Sequence, residues 1–313
     1  MDISVVIPLL NEKESLPELH SWLTTVLQRE AYTYEIIYVD DGSIDGSWEV
    51  IQALRAKDPH TLGIKFQRNF GKSQALHAGF KKASGKVVIT MDADLQDSPE
   101  EIPELFAMIT KERYDLVSGW KKKRYDSMIA KNLPSKLFNT AARRTSGVYL
   151  HDFNCGLKAY RREVIKSIDV YGEMHRYIPV LAKNAGFTNI GEKIVQHQAR
   201  KYGTTKFGIE RFTHGFLDLI TLWFLSRFGK QPMHFFGLLG TFMFIAGFFL
   251  SVYLGINKLF IDQGSRLITD RPEFFIALTT MILGTQFFLV GFIGELILRN
   301  NSHKKRYLIE DEM

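Results

Sequence analysis

Two stretches near the C-terminal end of the chain, Phe235 to Asn257 and Phe274 to Gly294, contain no Asp, Glu, Lys or Arg. At 1.5 Å per residue, each is long enough to cross a hydrocarbon core of about 30 Å. Two buried core helices are the alternative, but helices of globular domains rarely run so far without a polar face. The sequence therefore predicts two membrane spans, about 234–257 and 274–298, within a region 233–313 that closes in a basic tail. Arg227 and Lys230 precede the pair and Arg299, Lys304, Lys305 and Arg306 follow it, while the connecting loop mixes Lys258, Arg266 and Arg271 with Asp262, Asp270 and Glu273. By the positive-inside tendency, both flanks are expected on the cytoplasmic side.

The opening "MDISVVIPLL" places Asp2 before an immediate strand-like run, unlike the basic n-region of a signal peptide, so the first domain is expected to stay where it is made. A lone Cys155 excludes an intrachain disulfide and fits a reducing compartment. The net charge of +6 invites a nucleic-acid reading. Its basic groups, however, collect as "KKKR" (121–124), "ARR" (142–144), "YRR" (160–162) and "ARKYGTTK" (199–206) toward the apolar half. That distribution favours membrane lipids or a phosphate-bearing lipid over nucleic acid, with a solvated basic face as the plain alternative.

From residue 1 to about 120 the pattern alternates strand and helix. "ISVVIPLL", "YEIIYVD", "LGIKFQ", "KVVITMD" and "DLVSG" are short β-rich runs separated by helical stretches such as "SLPELHSWLTTVLQRE". Such alternation predicts an α/β fold with a mostly parallel sheet and helices on both faces. Ser98, Pro99 and Glu101 read as the capping box of a helix. Residues 207–226, apolar and aromatic but broken by Glu210, Arg211, His214 and Asp218, read as interfacial amphipathic helices, with a core helix as the alternative.

In open α/β sheets ligands bind beyond the carboxyl ends of the strands. Three polar turns fall there: "PLLNE" (8–12), "DDGSIDGS" (40–47) and "DADLQ" (92–96). Asp92 and Asp94 precede the helix cap, so capping does not explain them. Two carboxylates one residue apart suit Mg²⁺, which takes one or two carboxylates and completes its shell with substrate oxygens. No G-x-G-x-x-G follows the first strand, and "FGKS" (70–73) lacks the earlier glycine of a P-loop, since position 66 is Phe.

"VVIPLLNE", "VDDGSIDGS", "RNFGKSQALHAGF", "MDADLQDSPEEIPEL", "DFNCGLKAYRREV" and "ARKYGTTKFG", followed by two spans, resemble the family 2 glycosyltransferases of GT-A fold, and among them the polyprenyl-phosphate glycosyltransferases. The resemblance covers nearly the whole chain. It implies a cytoplasmic catalytic domain over 1–206, interfacial helices over 207–232 and the two spans over 233–313. It further implies that Pro8, Leu10, Glu12, Asp41 and Asp92 line the nucleotide pocket, and that Asp92, Asp94 and Gln96 surround a divalent metal, Mg²⁺ or Mn²⁺. Leu10 stands where relatives often carry an aromatic, and Phe207 where they carry a Tyr. Arg200, Thr205 and Lys206, in the place of an R-x-x-G-x-S-K-Y arrangement, would approach the phosphates, with Arg143 a weaker candidate for the acceptor phosphate.

The implied reaction is inverting transfer of one sugar from a UDP- or GDP-linked donor to a polyprenyl phosphate at the inner face of the cytoplasmic membrane. A phosphate monoester is already largely ionised at neutral pH. Position and electrostatics are then the main tasks, carried by Asp94, Arg200 and Lys206. Asp152 resembles the acidic residue sometimes assigned as base in this fold; with an anionic acceptor it would orient the sugar or a basic side chain, while a lipid hydroxyl acceptor would make it the general base. A non-catalytic, membrane-anchored nucleotide-sugar-binding protein is the remaining alternative. Arg176, in "EMHRYIPVLA", is either a further phosphate ligand or one half of a surface ion pair. A homo-oligomer is compatible with the sequence.

Overall fold

The computed structural model describes residues 1–122, 143, 146–170, 172, 174–198, 201–202, 224, 227–229, 231–261 and 267–300. The chain divides into two compact units, Met1–Leu222 and Trp223–Met313.

In the first unit the five expected strands form: β1 (Ile3–Leu9), β2 (Tyr34–Asp40), β3 (Thr61–Lys65), β4 (Val87–Thr90) and β5 (Leu116–Trp120). Two more, β6 (Lys158–Arg161) and β7 (Ile190–Ile194), complete a sheet in the order β3-β2-β1-β4-β6-β5-β7. Strand β6 runs antiparallel to both of its neighbours; every other pairing is parallel. The sequence patterns of β1 and β2 already say why. Every residue of these strands is buried, as a sheet covered on both faces requires.

Alternation sorts their side chains. Val5, Ile7, Ile36, Tyr38 and Ile89 face a core built with α1 (Leu16–Arg29), α2 (Ser47–Lys57) and α4 (Ile102–Thr110), through Leu19, Leu23, Ile51 and Leu105. Val6, Ile37, Val39 and Val88 face the opposite core, with α3 (Lys72–Lys82), α5 (Arg162–Ser167) and α6 (Ile178–Asn184). Helix α3 can lie so close to β1 because Gly79 meets Val6 without a side chain of its own; a Cβ there would overlap Val6 Cγ1.

The Ser98 cap forms, its hydroxyl accepting the Glu100 N–H at 3.3 Å, and Pro99 opens a turn of 3₁₀ helix that runs into α4. The expected capping box does not close. The Glu101 carboxylate instead pairs with Lys193 of β7 and accepts the Gln196 N–H at 3.0 Å, because a buried cation outcompetes a local backbone N–H.

In the second unit α7 (Pro232–Ile256), continuing through a wider turn at Asn257–Ile261, and α8 (Pro272–Asn300) form a hairpin. Pro232–Ile261 and Pro272–Leu298 are each long and apolar enough to cross a membrane. The helices run antiparallel, since Gly240 lies against Gly284 and Gly247 against Ala277. These small residues let the two backbones approach, the usual solution where lipid removes the hydrophobic drive between helices. Leu238, Phe242, Phe249, Ile293 and Ile297 point outward. The interfacial helices expected over 207–226 fall almost entirely outside the described residues.

Replacing Gly79 with Ala should destabilise the first unit by about 1–3 kcal/mol through overpacking against Val6. Thermal unfolding of the detergent-solubilised protein reads this as a lowered midpoint, with the far-ultraviolet spectrum of the folded state unchanged.

Candidate active site

Because β1 to β4 are parallel, their carboxyl ends share one edge, and β6, running the other way, brings its amino end there. Strands β5 and β7 point the same way as β1 to β4, so seven loops meet at this edge. Beyond β1, Asn11 takes a left-handed conformation (φ 57°), donates its N–H to Ser43 at 2.9 Å and accepts the Ile44 N–H at 2.9 Å. The Glu12 N–H reaches Ser47 Oγ at 3.0 Å. The turns "PLLNE" and "DDGSIDGS" are thus laced into one surface. Asp41 is buried, and its two oxygens accept the N–H groups of Phe70 and Gly71 at 2.7 and 2.9 Å. This carboxylate fixes the entry to α3, where Gly71 has φ 103°.

That entry delivers Lys72 to Asp92. The ammonium lies 2.5 Å from Asp92 Oδ1, beyond the end of β4. Burial alone would raise the Asp92 carboxyl; Lys72, with Lys121 and Lys158 behind it, outweighs burial and holds it at about 2. Asp92 can settle there because Gly156 offers no side chain. A Cβ at that position would sit 2.6 Å from Asp92 Cγ.

Asp94 is buried and accepts the Gln96 N–H at 3.2 Å, in a turn where Leu95 has φ 58°. The Gln96 carbonyl accepts the Gln198 N–H at 2.9 Å. Behind them, fully buried Asp97 faces Lys121 at 2.7 Å. Burial pushes the Asp97 carboxyl up, with the negative charges of Asp92 and Asp94 adding to it, while Lys121 opposes. One turn thus carries three carboxylates, two of them matched by lysines.

A cleft opens beside Asp92, and Pro8, Lys72, Asn154, Gly156, Lys158, His175 and Arg176 are among its walls. Lys158, at the start of β6, is buried and donates to the carbonyls of Phe153 and Cys155; burial lowers its pKa. The Cys155 thiol is pushed up to about 12 by burial, so it is no nucleophile at neutral pH. Ser73 Oγ accepts the His175 N–H at 3.0 Å and lies 3.2 Å from its Nδ1. Burial, then the charges of Lys72, Arg176 and Lys158, depress the His175 imidazole to about 2. It is neutral at every physiological pH and unsuited to act as a proton-cycling base.

Of the residues singled out in the sequence, Pro8, Asp92 and Arg176 line this cleft. Asp152 is buried, with its carboxylate accepting the Asn154 N–H at 3.0 Å and its own N–H donating to Glu192 at 3.0 Å. Arg143 is described, its carbonyl accepting the Gly147 N–H at 2.8 Å. Arg200, Thr205 and Lys206 lie outside the described residues. Sequence reasoning missed Lys72, Lys158, Gly156 and the Asp97–Lys121 pair. Lys72 had a signal: a lysine opening a helix directly after a glycine, at the ligand edge of the sheet.

The sequence pattern of glycosyl transferase family 2 matches residues 4–169. The chain belongs to that family. It is 34% identical over 301 residues to the dodecaprenyl-phosphate galacturonate synthase of Rhizobium johnstonii, covering 96% of this chain and 88% of that protein. It is 37% identical over 298 residues to the undecaprenyl-phosphate 4-deoxy-4-formamido-L-arabinose transferase of Salmonella choleraesuis, covering 95% and 88%. Among solved structures it is similar to glucosyl-3-phosphoglycerate synthase of Mycobacterium tuberculosis, with TM-score 0.53, 20% identity and coverage of 72% of this chain and 80% of that one. That likeness shows the fold: the GT-A arrangement of a mixed sheet between helices.

Two outcomes follow for this glycosyltransferase. Gly156→Ala should displace the Asp92 carboxylate and lower turnover tenfold or more, whereas Gly255→Ala, where a Cβ meets nothing and the backbone is helical, should not. The depressed His175 imidazole means that below about pH 6.5 the unfolded chain binds a proton that the folded one does not, so stability falls as pH drops through that value. Asp92 acts with the same sign, but only below its ordinary value of 3.8. His175→Gln should therefore flatten the loss of melting temperature between pH 7 and 5, measured by differential scanning fluorimetry.

Proposed function

We propose that this protein transfers a single sugar from a nucleotide diphosphate donor to a polyprenyl phosphate, with inversion at the anomeric carbon. The observation that carries the reading is the cleft beside Asp92, where three cationic side chains and one carboxylate line a space at the ligand edge of a family 2 fold. Both named relatives act, by their descriptions, on a polyprenyl phosphate.

A divalent metal fits the residues present. Asp92 is deprotonated and half-exposed, Asp94 lies two residues on, and both offer the hard oxygens that Mg²⁺ or Mn²⁺ takes. Among the described residues no group of three or more His, Cys, Asp or Glu could hold a metal. A site of one or two carboxylates, completed by substrate oxygens, is what that chemistry needs. When bound, the metal would neutralise charge growing on the leaving diphosphate.

The chain's own residues do the rest. An oxygen of the acceptor phosphate attacks the anomeric carbon as the bond to the donor's diphosphate breaks, releasing the nucleoside diphosphate. The acceptor is already anionic, so no proton is removed in this step. Lys72 and Lys158 stand where negative charge accumulates, in surroundings partly screened from water, where fixed charges act most strongly. Glu12 and the laced turns beyond β1 and β2 offer acceptors for a base and ribose, with the base either uracil or guanine. Arg200, Thr205 and Lys206 are proposed to approach the phosphates from their segment. The apolar hairpin would anchor the enzyme where the isoprenoid acceptor resides, with the first unit on the cytoplasmic side.

The test is nucleoside diphosphate release by the detergent-solubilised protein, across a panel of UDP- and GDP-sugars, with and without undecaprenyl phosphate and with Mg²⁺, Mn²⁺ or chelator. Release that requires both lipid and metal, and that falls at least a hundredfold in Asp94→Asn, is expected. Release independent of the lipid phosphate, or an Asp94→Asn variant as active as the parent, would overturn the reading.

A further inference from the structure

Arg176 sits in a four-residue helical turn, Met174–Tyr177, and lines the cleft. Its Nε is buried and has no hydrogen-bond partner, and no ion pair with it forms among the described residues. Among the described residues, the surface ion pair that the sequence allowed does not form. Asn154 Oδ1, on the same cleft, is likewise buried without a partner. Lining side chains carry three positive charges, Lys72, Lys158 and Arg176, against one negative charge, Asp92, which Lys72 already matches. A partly enclosed cleft with that surplus of positive charge attracts an anionic ligand.

Which anion belongs there follows from the division of labour along the cleft. Asp92 and Lys72, joined beyond the end of β4, suit the leaving diphosphate. Arg176 belongs to another element, and its planar fork of donors matches the oxygens of a phosphate pairwise, which a lysine does not. We propose that Arg176 binds the phosphate of the acceptor and sets its attacking oxygen toward the sugar, with Lys158, on the same cleft, adding to the field. Arg176 is thus a substrate-binding residue in addition to those in the segment 200–206. The inference rests on the transferase reading and extends it to a residue that the family likeness did not mark.

The experiment uses the full chain in detergent. First, binding of farnesyl phosphate is measured by calorimetry with Mn²⁺ and nucleoside diphosphate present, for the parent, Arg176→Ala and Arg176→Lys. Second, KM values for undecaprenyl phosphate and for the best donor are measured in parallel. The expected result is tenfold or greater weakening of farnesyl phosphate binding, and a matching rise in KM for the lipid, in Arg176→Ala. Arg176→Lys should fall between, and nucleoside diphosphate affinity should stay within twofold, which also shows that the variants fold. If nucleoside diphosphate affinity falls by the same factor, Arg176 serves the leaving group and the inference is overturned. It is equally overturned if only donors bearing a sugar carboxylate lose activity, if the parent does not bind farnesyl phosphate, or if nothing changes. Binding of farnesyl phosphate that depends on Arg176, without transfer to undecaprenyl phosphate by the parent, would instead sustain the subsite and sink the transferase reading.

Discussion

The contact between Lys72 and Asp92 is the interaction on which the rest of the site depends. It joins the amino end of α3 to the carboxyl end of β4 at 2.5 Å, across the strand β1 that lies between β2 and β4. Each partner is delivered by a separate device. Asp41 accepts two backbone N–H groups to fix the entry to α3, and Gly156 leaves the space into which Asp92 settles. The pair keeps Asp92 ionised in a place where burial would otherwise protonate it. An ionised carboxylate there is what a cationic ligand, or a metal shared with a diphosphate, requires.

Around that pair, several carboxylates are matched by cations. Asp97 has Lys121, Glu101 has Lys193, and Asp115 has Arg161. Such pairing is how a fold tolerates ionic groups away from water. Arg176 forms no such pair among the described residues, and it lies in the cleft. The acid–base inventory points the same way. His175 is neutral and Cys155 is a protonated thiol, so neither serves as a base in the cleft. That balance suits a phosphate acceptor better than a hydroxyl one.

Much of this was legible in the sequence, and the failures have physical causes. Five strands, the acidic turns at their ends, the Ser98 cap and the two apolar helices all carried local signals: β-branched runs, turn residues and length without charge. Strands β6 and β7 did not. "KAYR" and "IGEKI" are short and charged, and they are strands only because β4 and β5 offer edges to pair with. Glu101 had the right spacing for a capping box, but Lys193, distant in sequence, took its carboxylate. Lys72 was visible as a failed P-loop lysine, yet its partner could be known only once β4 and α3 were packed together. The basic segment 200–206 was prominent in sequence, and apart from Lys201 and Tyr202 it lies outside the described residues.

The central claim is that the cleft joins a sugar to a phosphate oxygen with inversion and adds only one. Phosphorus and carbon nuclear magnetic resonance of the lipid product, made from a donor ¹³C-labelled at the anomeric carbon, tests it most directly. The account predicts a single sugar in phosphodiester linkage, with carbon–phosphorus coupling at the anomeric position and a configuration opposite to the donor's. Retained configuration, a sugar on a lipid hydroxyl, or a growing chain of sugars would contradict it.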